Sequence, residues 1–305
     1  MGKKRNSRFL DALVGWPALW ILNALGRLTW QGTWRYGALL GRTLYRVDSR
    51  RRKITLRNLE KAFSGELGET ERLLLAKQSF ENLGRFFLET AKMSHISAED
   101  LEGRFEVENG QILKQVYDEG RGVVVVCAHL GNWEIMARTF GSWGYRYAVI
   151  YRPIDNRFLD EKMRESRLVG GEIIPREAMF KSVRSALKEG KIVAFMSDQN
   201  AGKKGIFVPF FGVQASTTPA AAIFAQATGA PIVPVFCFRL GPGRFRSVIH
   251  HPIWAEGGKD RKEEQQELTE AFTLEIEKAV RRCPDQWFWM HRRWRTRPQE
   301  ERTVD

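Results

Sequence analysis

A chain of 305 residues, 43% of them hydrophobic, is long enough to bury a large core in one α/β domain with a helical extension, or in two smaller domains. This composition suits a soluble or peripheral protein and excludes a polytopic membrane protein. The formal charge of +13 implies an acidic partner: nucleic acid, an anionic membrane surface, an acidic carrier protein or a phosphorylated lipid.

The first element, in "MGKKRNSRFLDALVGWPALWILNALGRLTWQGTW", has a basic start and then an uncharged run of 15 residues, Ala12 to Gly26. As a helix that run covers ~22 Å, short of the ~30 Å hydrocarbon layer. Reading on through Arg27 to Trp34 supplies the missing length at the expense of one charge. Lys3, Lys4, Arg5 and Arg8 precede the run and Arg35, Arg42, Arg46 and Arg50 to Arg52 follow it, so charge sets no orientation. Trp16, Trp20, Trp30 and Trp34 are the residues with which a segment settles among lipid headgroups. Asp11 and the lack of a small-x-small cleavage site count against a signal peptide. The expectation is a membrane anchor or interfacial helix over about residues 9–34.

Residues 1–100 read as helical throughout. "SRRRKITLRNLEKAF" and "ETERLLLAKQSFENLGRFFLETAKM" have helical periodicity, broken between them at Ser64 and Gly65. Beyond residue 100 the pattern changes to a second domain over 101–305, with strands at "GVVVVCAH", "YRYAVIYR", "GEIIP", "KIVAFMSDQ" and "APIVPVFCF". Helices are predicted at "NRFLDEKMRESRLV", "REAMFKSVRSALKEG", "TTPAAAIFAQATG" and "DRKEEQQELTEAFTLEIEKAVRR". Apolar strands alternating with helices predict an α/β fold with a mainly parallel central sheet flanked by helices.

The chemistry gathers where the second of these patterns begins. "VVVVCAHLGNWEIM" places His129 just past a buried strand, at the carboxyl edge where open α/β sheets hold their ligands. Asn132 suits an N-cap, which puts Glu134 in the first turn of the next helix, where the helix dipole favours a carboxylate. Folded back, Glu134 can hold one ring nitrogen of His129 and make the other a stronger base. Gly131 permits the turn and Trp133 shields the pair. Cys127 is better read as a small apolar strand residue than as a nucleophile. With 3 cysteines and 5 histidines at no metal-ligand spacing, no zinc site is expected, and no P-loop or GxGxxG fingerprint occurs. His250 and His251 have no carboxylate at a useful spacing and read as surface residues.

"AHLGNWE", "YRP" at Tyr151 to Pro153, "DQN" at Asp198 to Asn200, "VPFFG" at Val208 to Gly212, "STTPAAAIFAQATGAPIVPVF" and the "WFWMHRRW" ending are similar, in this order, to the lipid A biosynthesis acyltransferases of the lauroyl and myristoyl type. The resemblance covers essentially the whole chain. It implies a glycerolipid acyltransferase-like fold and transfer of a fatty acyl group, without metal or cofactor, from acyl carrier protein (or acyl-CoA) to a hydroxyl on a hydroxyacyl chain of a Kdo-bearing lipid A precursor. The setting it implies is the cytoplasmic face of the inner membrane. It makes His129 the general base and Glu134 its partner in the His-x4-Glu motif. Arg152 is placed beside the pair for the oxyanion or an acceptor phosphate, and Asp198, Gln199 and Asn132 are substrate-positioning candidates. Acyltransferases of other glycolipids, such as phosphatidylinositol mannosides, carry the same kind of pair, so acylation of another glycolipid is the alternative. "GIFVPFFG" is either acyl-tunnel lining or a core strand. A nucleic-acid binder is the rival of a different class, but no nucleic-acid motif occurs and the basic residues form no single stripe. A catalytically idle membrane scaffold is the second rival.

Overall fold

The computed structural model describes residues 8–151, 153, 155–158, 160, 161, 164 and 171–299. Helices account for the chain as far as Glu102: α1 (Arg8–Gly26), α2 (Trp30–Val47), α3 (Ser49–Ala62), α4 (Glu69–Lys92) and the short α5 (Ala98–Glu102). The anchor segment expected over 9–34 is not one helix. It breaks after Gly26, and Thr29 starts α2 by accepting from Gly32 N through its side chain. Buried Lys92 accounts for the break, because its ammonium donates to the carbonyls of Gly26 and Leu28. Among the described residues no helix is long and apolar enough to cross a membrane. On α1, Trp16 and Trp20 are 63% and 73% exposed.

Glycines set how closely α2 and α4 cross. A Cβ at Gly84 would lie 2.0 Å from the Gly37 carbonyl oxygen, and one at Gly41 would lie 2.1 Å from that of Phe80. The backbones therefore touch, and α4 is held in place as a wall of the catalytic domain.

Beyond α5 come β1 (Phe105–Glu108), α6 (Gly110–Asp118), β2 (Val123–Cys127), α7 (Trp133–Ser142), β3 (Tyr147–Tyr151) and β4 (Gly171–Pro175). They are followed by α8 (Met179–Lys188), β5 (Ile192–Met196), β6 (Ile206–Phe210), β7 (Val213–Thr217), α9 (Ala220–Thr228), β8 (Ile232–Gly241), β9 (Arg244–Ile249) and α10 (Arg261–Arg282). One sheet of 7 strands has the order β1-β9-β8-β2-β5-β3-β4. Its β8-β2-β5-β3-β4 part is parallel, while β9 returns antiparallel to β8 and brings β1 with it. The expected mainly parallel sheet flanked by helices is what forms. All five strands read from the sequence are present. The helix expected over "NRFLDEKMRESRLV" falls largely outside the described residues.

Strand β2 shows why the sheet reads as apolar throughout. Val124 and Val126 enter the core on one face, and Val123, Val125 and Cys127 enter the core on the other. With both faces covered, no position on the strand is free to be polar.

"GIFVPFFG" is the core strand and not the tunnel lining. It forms β6 and the turn that leads into the antiparallel β7, with Phe210 fully buried among Trp287 and Trp294 at ring distances of 5.5 and 5.7 Å. None of it lines either cavity beside His129.

Gly84→Ala is expected to lower stability by about 2 kcal/mol or more, because the added methyl has only backbone to push against. Chemical or thermal unfolding would show this as an early transition. A wild-type midpoint would mean that α2 and α4 can separate freely.

Candidate active site

The register of two parallel strands builds the site. Cys127 at the end of β2 is paired with Met196 at the end of β5. Two residues further along each chain come His129 and Asp198, so both side chains leave the same edge side by side. Imidazole Nδ1 lies 2.7 Å from Asp198 Oδ1, and the His129 backbone N–H donates to Asp198 Oδ2 at 2.8 Å. Trp287 Nε1 donates to the same Oδ2 at 2.8 Å. The carboxylate on Nδ1 is therefore Asp198, where the sequence reading had put Glu134. Chain spacing favoured a glutamate five positions away, whereas strand pairing supplies an aspartate 69 positions away.

Burial disfavours the charge on Asp198, but the His129 charge and the hydrogen bonds from His129 and Trp287 outweigh it and hold the carboxyl at about 2. Burial likewise disfavours imidazolium at His129. The charge of Asp198, its hydrogen bond and the charge of Glu134 overcome this and raise the His129 pKa. With Nδ1–H donating to Asp198, Nε2 keeps its lone pair, and the Gln199 amide nitrogen lies 3.3 Å from it. That amide occupies the position a substrate O–H would take.

Asn132 caps α7 as expected, with Oδ1 accepting from Ile135 N at 3.1 Å. Its Nδ2 donates to Glu89 at 2.9 Å and the residue is fully buried. Both ends of the amide are taken, so Asn132 builds the turn and has no face for substrate. Asp198, 2% exposed, has both carboxylate oxygens taken by His129 and Trp287. Gly131 has φ +60°, and a Cβ there would meet the Cys237 carbonyl at 2.2 Å. Trp133 lies edge-on to His129 at 4.8 Å and stacks on Phe86 at 4.1 Å. Arg152 lies outside the described residues.

Two residues that sequence reasoning missed shape the edge from the C-terminal segment. One is Trp287, already placed on Asp198. The other is Arg293, 1% exposed, which donates to Ser216 O at 2.7 Å, to Thr217 Oγ1 at 2.6 Å and to Gln199 O at 3.4 Å. Aromatic and basic residues in "WFWMHRRW" pointed to this segment, but only the fold returns it to the strand ends. Cys127 is buried, and burial pushes its thiol up, away from nucleophilic use. His250 is not a free surface histidine, since its Nδ1 lies 2.6 Å from Glu275 on α10.

Two cavities meet at His129, Trp133 and Glu134. The first, of about 380 Å³, runs between α7 and the sheet past Met136, Phe140, Tyr147 and Met196. The second, of about 770 Å³, lies between α1 and α4 and is lined by Trp16, Trp20, Phe86 and Phe87. Both walls are mainly apolar. An imidazole backed by a buried carboxylate has its other nitrogen beside two apolar cavities, an arrangement able to move a proton next to apolar ligands.

Comparison with known proteins gives the family. The model of the bacterial lipid A biosynthesis acyltransferases matches residues 1–296, and the chain belongs to that family. It is an acyltransferase. Lipid A biosynthesis lauroyltransferase of Escherichia coli (strain K12) is 31% identical over 287 residues, 93% of this chain and 92% of that one. Lipid A biosynthesis palmitoleoyltransferase of the same organism is 28% identical over 288 residues, covering 94% and 90%. A phosphatidylinositol mannoside acyltransferase of Mycolicibacterium smegmatis is 26% identical over 181 residues, covering 55% and 57%.

Asp198→Asn is expected to lower kcat by about 100-fold or more, since the imidazole loses the charge that fixes its tautomer. The sign of the pH effect follows from the raised His129 pKa. A base works only when neutral, so kcat/KM falls as pH drops through a value above 6.5. Without the Asp198 charge, burial prevails and the acid limb moves to lower pH. A pH–rate profile of both proteins measures this. An unmoved limb would detach Asp198 from His129.

Proposed function

We propose that the protein transfers a fatty acyl group from acyl carrier protein to a hydroxyl of a hydroxyacyl chain on a Kdo-bearing lipid A precursor. The observation that carries this reading is the His129–Asp198 pair at the junction of two apolar cavities. Family membership and the lauroyl- and palmitoleoyltransferase relatives point the same way.

His129 Nε2 accepts the proton of the acceptor hydroxyl as its oxygen attacks the thioester carbonyl. The tetrahedral intermediate then expels the carrier's thiolate, which takes the proton back from the imidazolium. The thioester is already activated, so the protein has only to align the reactants, move this proton and stabilise an oxyanion. Asp198 holds Nδ1, and Glu134, at the mouth of both cavities, strengthens the base by its charge. Arg152 is assigned to the oxyanion or to an acceptor phosphate. Gln199 swings off Nε2 when the hydroxyl arrives.

The cavity between α7 and the sheet takes the donor chain, and the wider one between α1 and α4 admits the acceptor from the bilayer. α1 lies in the interface at the cytoplasmic face of the inner membrane, with Trp16, Trp20 and Ile21 turned outward. A charge of +13 suits both an acidic carrier and a phosphorylated acceptor.

The test uses detergent-solubilised protein with carrier proteins charged with acyl groups of several lengths. The acceptors are the Kdo-bearing lipid A precursor and a phosphatidylinositol mannoside. An acyl-sized mass gain on the first, lost in folded His129→Ala, is the expected result. Gain only on the mannoside would move the protein to the alternative glycolipid. Wild-type rates from His129→Ala would end the mechanism.

A further inference from the structure

Behind the catalytic turn lies a buried ion pair that the proton transfer does not use. Glu89 on α4 and Arg239 on β8 have side chains 2% and 1% exposed, and the guanidinium grips the carboxylate twice, Nε to Oε1 and Nη2 to Oε2, each at 2.7 Å. A buried pair of this kind contributes little to stability that apolar residues of similar volume would not. Its geometry is informative because, apart from a long contact of Arg239 Nη1 to Asn82 Oδ1 at 3.4 Å, its further contacts lead to the turn from His129 to Asn132 or to the C-terminal segment beside it.

Arg239 Nη2 donates to the carbonyl of Gly131 at 3.3 Å. Glu89 Oε2 accepts from Asn132 Nδ2 at 2.9 Å, and the other end of that amide caps α7 at Ile135. The Arg239 backbone is bracketed by the Gln286 side chain, accepting at 2.7 Å and donating at 2.9 Å. The carbonyl of Gln286 accepts from Gly131 N at 3.1 Å, and Phe288 N donates to His129 O at 3.0 Å. The turn is therefore held at three residues: the His129 peptide by Phe288 and Asp198, the Gly131 peptide by Gln286 and Arg239, and the Asn132 side chain by Glu89. Gly131 sits at φ +60° against the Cys237 carbonyl, so it cannot drift inward.

We propose that Glu89 and Arg239 are positioning residues for acyl transfer, clamping the Gly131–Asn132 peptide so that His129 and Glu134 keep their relation to Asp198 and to the two cavities. The clamp ties α4, which walls the α1–α4 cavity, to the turn that carries the base. Neither residue lines that cavity or the one under α7. The inference rests on the reading of His129 as the base.

Arg239→Lys is the decisive variant, because lysine keeps a cation against Glu89 while losing the fork and with it the bond to Gly131. Glu89→Gln is its companion, since the amide can satisfy Asn132 or Arg239 as acceptor but not both as a charge. Two measurements are made on the full chain in detergent. Steady-state kinetics should show kcat reduced at least tenfold, with KM for donor and acceptor within twofold of wild type. Hydrogen exchange followed by mass spectrometry should show faster exchange in peptides over 128–136, with β2 and β5 peptides unchanged.

Wild-type kcat in a folded Arg239→Lys protein would overturn the proposal. So would a loss of activity that only tracks the unfolded fraction, or a rise in KM at constant kcat. If the wild type transfers no acyl group to any acceptor, the functional reading has failed instead. The exchange measurement needs no substrate, so it decides the clamp in that case too.

Discussion

Burying the carboxylate of Asp198 is the constraint from which the rest of the site follows. Taking an ionised group out of water costs several kcal/mol unless hydrogen bonds replace the lost solvation. At Asp198 three do so: the backbone and ring of His129, and the indole of Trp287. Each draws a different part of the chain to the carboxyl edge. Pairing of β2 with β5 brings the histidine, and the C-terminal segment has to cross the strand ends to deliver the tryptophan. That crossing is recorded in the isolated bridge between Leu130 and Trp287. The C-terminal segment is thus part of the active-site wall and not a tail.

The helical first third of the chain has an equally specific place. α4 meets α2 through glycines and α1 through Phe86, Phe87, Thr90 and Ala91, which line the wider cavity. Buried Glu89 of the same helix faces the other way, into the catalytic turn. One helix therefore carries a hydrocarbon-lined wall and a polar hold on the base. The α1–α4 cavity and the turn that carries His129 are joined by one helix about 35 Å long, at 1.5 Å per residue.

Much of this was legible in the chain, for identifiable reasons. The five parallel strands are readable because they are mainly apolar, and the central β2, with both faces covered, is apolar at every position from Val123 to Cys127. The turn was readable because its requirements are local: a residue at positive φ at Gly131, a cap at Asn132 and an acid in the first helical turn at Glu134. The partner of the imidazole was not readable, because strand register decides it and register is not encoded near His129. "MSDQ" could have been aligned with "CAHL" as the matching end of a neighbouring parallel strand, and that alignment would have placed Asp198 opposite His129. Arg239 gave no signal at all. An arginine at the end of an apolar strand looks like the point where the strand reaches solvent, and only the buried glutamate from α4 reverses that reading.

The arrangement also sets opposing influences on a histidine flanked by two carboxylates. Asp198 and Glu134 both favour imidazolium. Burial acts the other way and is the largest single influence on the ring, although the carboxylates together outweigh it. The carboxylates therefore leave the ring a stronger proton acceptor than an ordinary imidazole, and burial limits how far they do so. Opening the pocket to water would weaken the carboxylates and the burial together. The aromatic lid of Trp133 on Phe86 therefore preserves the balance, whereas adding or removing a single nearby charge would upset it.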